Sequence, residues 1–232
     1  MSPGRIVEHT LDNARRYGTA AAMRELVCRA ANKLVDLRIL RAMVVCLSDV
    51  GDASLFDAQG LNARFASDAE LATYAAAGEY ELSDAFLRDA RARGDRCYAL
   101  FDGKALAAYG WYARRPTPID DYYVLHFDTS HTYMYKGYTV QAYRGRRLHA
   151  IGMCRALRAF SEEGSAGLVS WVDANNFSSL QSVARMGYRI FGDVYLLRAG
   201  ELALATATQG CRDYGFRVER LGVGVRDQIA LT

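Results

Sequence analysis

The sequence predicts a mixed α/β domain whose central sheet is mostly antiparallel and is flanked by helices. Three observations carry this. Strand-like segments rich in tyrosine and β-branched residues cluster at about 97–101, 105–112, 122–127 and 132–140. A helix–strand–helix–strand order follows them, and turn residues mark each change of element. With 51% hydrophobic and 24% charged residues, a chain of 232 residues can bury a sizeable core without disulfides or a metal.

The elements follow in order. Met23, Leu26, Val27, Ala30, Leu34 and Leu37 recur at helical spacing and predict a helix over about 20–40 with one apolar stripe. The segment Leu40 to Leu47 continues that helix or starts the first strand, and periodicity does not decide between them. Residues 1–45 are therefore expected to form an N-terminal helical extension packed on a domain of 46–232. Ser67-Asp-Ala-Glu70 fits a capping box, and Gly78 can end the helix it starts. Ser83 caps the next helix, Leu82 and Leu87 stand at staple positions, and Gly94 closes it. Asp102-Gly103, between Cys97–Phe101 and Ala105–Tyr112, predicts a hairpin with a type I′ turn. After a loop at Arg115–Ile119 come strands over Tyr122–Phe127 and Thr132–Val140. A basic turn, Tyr143 to Arg147, leads into an amphipathic helix ending near Gly164. Leu168–Val172 reads as a short buried strand, and Asn176 caps a helix running to Met186, with Gly187 at its C′ position. Two strands, about 189–198 and 213–220, finish the pattern.

Several function classes are disfavoured. A net charge of +3, with no long basic run, gives no reason to expect nucleic acid as a partner. No apolar run approaches the ~18 residues of a membrane span, so no membrane association is expected. The first residues mix both charges and lack a continuous apolar core, unlike a secretory signal. Five scattered cysteines without metal-ligand spacing suggest reduced thiols, a cytoplasmic protein and no metal site.

The stretch from Tyr138 to Arg198 carries the chemistry. Val140-Gln-Ala-Tyr-Arg144-Gly145-Arg146-Arg147-Leu148-His149 is a strand end, a basic turn and a helix start. Unpaired N–H groups at a helix N-terminus bind anions. After the next strand, Asn176-Phe-Ser-Ser179-Leu180 is followed eleven residues beyond Asn176 by Gly187-Tyr188. Together, in this order and at this separation, these segments resemble the acyl-coenzyme A-binding half of the GNAT (GCN5-related N-acetyltransferase) superfamily. Its turn has the pattern Arg/Gln-x-x-Gly-x-Gly/Ala. The resemblance covers roughly 95–200 well and 60–95 loosely. It departs at Arg147, where the pattern has glycine, and at His149, where it has a small residue. Arg147 would be accommodated at negative φ, with the extra arginines pairing with phosphate oxygens.

The resemblance implies a GNAT fold and transfer of an acetyl or other acyl group from coenzyme A to an amine of a small molecule or sugar. It implies acetyl-CoA, or another acyl-CoA, held by Thr139, Val140, Arg144, Gly145, Arg146, Arg147, Leu148, His149, Asn176 and Ser179. A backbone N–H at Thr139 or Val140 would face the thioester oxygen. The family's usual tyrosine acid, seven residues after the helix Asn, is replaced by Val183, and Ser182 would face another side of the helix. Candidates to manage the amine proton are Asp128, His131, Tyr133 and Tyr135, of which Asp128 and Tyr135 are carried forward as catalytic. The alternative is a degenerate module that binds an acyl-CoA or a partner without turnover. A homodimer is possible, and an acyl carrier protein is a lesser candidate as donor.

Overall fold

The computed structural model describes residues 3–32, 35–200 and 202–221. Two helices, α1 (Pro3–Tyr17) and α2 (Thr19–Ala31), break at Gly18, whose φ of +90° no ordinary helical residue adopts. This differs from the single helix expected over 20–40. Met23, Leu26 and Val27 of the expected stripe are exposed, and Leu34 lies outside the described residues. The face that α2 buries carries Ala22 and Glu25. Glu25 accepts a 2.6 Å hydrogen bond from Asn13 of α1 and pairs with Arg29, so polar contacts set this helix pair.

The undecided segment resolves as a strand. β1 (Asp36–Val45) lies inside the sheet, between β8 (Leu168–Asp173) and β9 (Arg189–Ala199). Residues before 46 therefore include a central strand as well as the helical extension. Leu40, Ala42 and Val44 face one core and Met43 and Val45 the other. A strand buried on both faces is continuously apolar, which is why periodicity could not type it.

The remaining elements are β2 (Asn62–Phe65), α3 (Asp68–Ala77), α4 (Asp84–Arg93), β3 (Arg96–Asp102), β4 (Ala105–Ala113), β5 (Thr117–Pro118), β6 (Tyr123–His126), β7 (Thr132–Thr139), α5 (Leu148–Glu162), α6 (Phe177–Arg185), β10 (Leu202–Ala207), α7 (Gln209–Asp213) and β11 (Arg217–Arg220). Eight strands form one sheet in the order β10-β9-β1-β8-β7-β4-β3-β2, antiparallel except where β7 meets β8. β5, β6 and β11 form a small second sheet. α5 packs Leu148, Ile151, Leu157 and Phe160 against one face of the large sheet. On the other face α3 and α4 cover β3 and β4, while the small sheet covers β1 and β9.

Local signals largely hold. Ser67 and Glu70 form the capping box, Ser83 caps α4, and Gly78 and Gly94 close their helices at positive φ. The hairpin differs in detail. Asp102 pairs with Ala105, so the loop is Gly103-Lys104 with only Gly103 at positive φ (+57°). That is the II′ pattern, with glycine first. Near the C-terminus β10 and α7 were not anticipated, because Leu202 and Leu204 alternate with alanines and carry little strand signal. The four cysteines whose side chains are described are free, and Cys28 lies outside that set. Among the described residues no helix is long and apolar enough to cross a membrane.

Candidate functional site

The site begins where the sheet splits. β7 and β8 pair in parallel only at Thr132–Leu168 and Tyr133–Val169. The hydroxyl of Ser170 then donates to the Met134 carbonyl at 2.9 Å, and beyond Tyr133 the β7 edge that faces β8 has no ladder partner among the described residues. A bulge opens the split further. Trp111 and Tyr112 of β4 face Lys136 and Met134, which leaves Tyr135 as the extra residue. A bulge bends its strand and re-aims side chains, and here both Tyr135 and Lys136 reach Phe86 of α4. A cavity of about 350 Å³ fills the split. Tyr135 and Gly137 line it from β7, Trp171 and Asp173 from β8, His149 from α5 and Ser182 from α6.

The turn after β7 forms a donor cradle. A short 3-10 turn (Gln141–Tyr143) precedes Gly145 at φ +82° and Arg147 at φ +61°. Successive N–H groups in such a run converge on an anion. Arg147 gives α5 no side-chain cap, and the six N–H groups from Gly145 to Ala150 meet no acceptor among the described residues. The negative φ expected for Arg147 is therefore corrected: it adopts the left-handed conformation that favours glycine. Its guanidinium is also committed, donating to Asp52 at 2.8 Å. Hydrogen bonds from Ser54 and Arg147 hold the Asp52 carboxyl down at about 2. Arg144 donates to the Thr139 carbonyl at 3.2 Å, and Arg146 lies over the Tyr143 ring.

A left-handed non-glycine residue costs about 1–2 kcal/mol, whereas an exposed ion pair contributes little. Arg147→Gly should therefore melt at or above the wild-type temperature, and Arg147→Ala below both. Thermal melts of the three proteins check the order; an alanine variant more stable than the glycine variant would contradict the strain.

α6 supplies the far wall. Asn176 caps it, its Oδ1 accepting from the Ser179 N–H at 3.2 Å and from the Ser178 hydroxyl at 3.1 Å. Its Nδ2 has no partner among the described residues, and Asn176 lines the cavity. Asn176, Ser179, Ser182 and Val183 share one helical face. Ser182 thus lines the same cavity as Ser179, against the expectation that it faces another side. Ser170, Trp171 and Asp173 were not singled out from sequence either. Period-two alternation on β8 was their only signal, and it does not reveal that the neighbouring strand peels away.

The expected residues do not all converge. Tyr135 lines the cavity, as does Tyr133, whose hydroxyl accepts from the Trp171 indole at 2.6 Å. Asp128 does not line it. It is exposed near the paired end of β7, where its Oδ1 accepts from the Ser130 N–H at 2.9 Å. His131 stands at the same end, beside the Ser130 hydroxyl. The Val140 N–H, expected to face a thioester oxygen, instead donates to the Ala107 carbonyl at 3.0 Å. Free backbone beside the cavity lies earlier on β7, past Tyr133.

His149 packs on Gly137 so closely that a Cβ there would stand 2.4 Å from His149 Cε1. The ring makes no hydrogen bond with the described residues, and burial lowers its pKa below the usual value. The sign of the linkage follows. Between the lowered folded pKa and the unfolded value near ~6.5, the unfolded chain binds more protons, so stability falls as pH drops through that window. Melting temperature should therefore fall less between pH 7.5 and pH 5 in His149→Gln than in wild type. Equal losses would show that His149 is not held neutral.

No protein-family model matches the chain, and no curated protein matches it. Among solved structures it is similar to an acetyltransferase of the GNAT family from Colwellia psychrerythraea, with a TM-score of 0.50 at 12% identity, covering 70% of this chain and 56% of that one. A functionally unknown conserved protein from Staphylococcus epidermidis matches with a TM-score of 0.50 at 7% identity, over 76% of this chain and 67% of that one. A GCN5-related N-acetyltransferase from Kribbella flavida matches with a TM-score of 0.45 at 16% identity, over 76% of this chain and 64% of its own. The chain thus spans less than two thirds of the length of either acetyltransferase. At these identities the likeness is one of fold, and the fold is that of the GNAT structures.

Proposed function

We propose that the protein transfers an acyl group from coenzyme A to an amine. One observation carries the reading: six consecutive backbone N–H groups without acceptors among the described residues, Gly145 to Ala150, stand at the start of α5 beside the cavity between β7 and β8. Such a cradle fits a pyrophosphate, and the split strands continue from it as a cleft for an extended arm. Bound coenzyme A would supply the acyl group activated as a thioester. Asn176 and Ser179 would orient the arm from α6. The unladdered edge of β7 would present backbone N–H groups to the charge that develops on the carbonyl oxygen. On the opposite side of the sheet from α5, Tyr133, Tyr135 and Trp171 give an aromatic surface, beside which the Asp173 carboxylate is paired with Arg38. This suits a small-molecule or sugar amine as acceptor.

Thermal shift with coenzyme A and acetyl-CoA tests binding. A ligand at 100 times its dissociation constant stabilises by about 2.7 kcal/mol; no shift with either would overturn the reading. Thiol release from acetyl-CoA across a panel of amines, with longer acyl chains and an acylated carrier protein as other donors, tests turnover. A second reading, binding without turnover, draws support from Val183, which places an apolar side chain where the family has its acid. It also draws on the His149 ring packed across the cleft at Gly137. Cofactor binding with no thiol release for any amine would favour it.

A further inference from the structure

We propose that Tyr135, Asp95 and Arg93 form a proton relay on the acceptor side of the cleft, with Tyr135 as the catalytic residue and Asp95 and Arg93 as positioning residues. The inference rests on the acyltransfer reading and adds how the amine loses its proton. Tyr135 stands at the bulge of β7 and lines the cavity. Its hydroxyl donates to Asp95 Oδ2 at 2.9 Å. Asp95 is reached directly from the end of α4. Gly94 turns the chain at positive φ, and the Asp95 N–H returns to the Ala90 carbonyl at 2.9 Å. Arg93 fixes the same carboxylate oxygen through Nε at 3.0 Å and Nη2 at 2.7 Å.

This arrangement decides which way the phenol works. Its proton is committed to Asp95 and Arg93 hydrogen-bonds the same oxygen, so one lone pair is left to accept from an amine N–H in the cleft. That makes Tyr135 a poor source of a proton for a departing thiolate and a good relay for one leaving nitrogen. Asp95 also has unused capacity. Its side chain is fully buried, and Oδ1 has no partner among the described residues. Asp95 lines a crevice of about 120 Å³ with Trp111, whose indole N–H is likewise buried and unbonded. A crevice holding both a free acceptor and a free donor suits a water that carries the proton on. Burial raises the Asp95 carboxyl above its usual range, with the Arg93 charge opposing. A raised carboxyl can receive a proton.

The step balances as follows. The neutral amine forms its bond to the thioester carbon as the carbon–sulfur bond breaks, and the sulfur leaves as thiolate with the electron pair. The proton lost by nitrogen passes to the Tyr135 oxygen as the phenolic proton passes to Asp95, and from there to solvent through the crevice. A purely structural Arg93–Asp95 pair would clamp the end of α4 whether or not a phenol joined it.

Tyr135→Phe tests the relay, because it leaves the Arg93–Asp95 pair in place, whereas Asp95→Asn would strand a buried arginine. General base assistance contributes typically about 10²–10⁴-fold, so kcat for amine acylation should fall by about 100-fold or more, with KM for acetyl-CoA little changed. The remaining rate should rise with pH as the amine itself deprotonates. The groups facing Asp95, namely Arg93, Arg115 and Tyr135, with Asp68, Arg91 and Arg96 around the crevice, are otherwise untouched. Carbon-13 NMR titration of the Asp95 carboxyl in the free protein gives a readout independent of turnover. Its pKa should rise in Tyr135→Phe, because a hydrogen bond to the charged form is lost. Turnover that survives the substitution, or an unmoved carboxyl titration, overturns the relay alone. Wild-type protein that binds acetyl-CoA yet acylates no amine overturns the acyltransfer reading and the relay with it.

Discussion

Gly187→Ala should destabilise the protein by about 2–5 kcal/mol, the sum of a left-handed backbone penalty and an overpacking term. For a chain of this size that lowers the melting temperature by roughly 4–20 °C. Gly187 ends α6 at φ +94°, and a Cβ there would stand 2.3 Å from the Asp49 carbonyl oxygen and 2.8 Å from its carbon. Both are backbone atoms, so no rotamer change relieves the clash. Nor can Asp49 yield easily. Its side chain accepts from the Cys46 N–H at 2.8 Å, which holds the turn that follows β1. Gly78→Ala is the control, since Gly78 has a similar φ of +73° but nothing within 4 Å of a Cβ. It should show only the backbone penalty. Equal losses in the two variants would remove the packing argument. The close approach also seats α6 and its cavity-lining residues, so the Gly187 variant should bind coenzyme A more weakly at a temperature where it is still folded.

That glycine illustrates what the sequence made legible. Asn176 as a cap and Gly187 as a stop, eleven residues apart, are local chemistry, and the structure realises both. The capping box at Ser67 and Glu70 was readable for the same reason. What escaped depends on long-range pairing. β1 is apolar on both faces, so its segment of sequence could not be told from a helix until β8 and β9 were seen on either side. The position of Arg147 made a departure from the motif visible, but not that an arginine would take the glycine conformation. Asp95 carried no sequence signal at all. It follows a helix stop forty residues before Tyr135, and only the sheet brings it under that phenol. The Ser182 expectation failed because a helix face was assigned without knowing where β8 and β7 part.

Ser182→Trp should abolish cofactor binding while leaving the fold intact. Ser182 is exposed on α6, makes no hydrogen bond with the described residues, and lines the cavity between β7 and β8. An indole is the largest side chain and brings about 150–250 Å² of surface to the wall of a cavity of about 350 Å³. Any arm threaded between α6 and the β7 edge would have to displace it. The dissociation constant for coenzyme A should rise by about 100-fold or more, equivalent to roughly 2.7 kcal/mol, so the thermal shift at a fixed ligand concentration should vanish. Gln181→Trp places the same side chain one residue earlier, at an exposed position outside the cavity lining, and should bind within about threefold of wild type. The pair separates occlusion from any general effect of a tryptophan on the helix, because helix propensity is altered in both. If Ser182→Trp kept its full thermal shift, the split in the sheet would not be the path of the cofactor. The open N–H groups of Gly145 to Ala150 would then have to serve an anion that does not extend toward Tyr135.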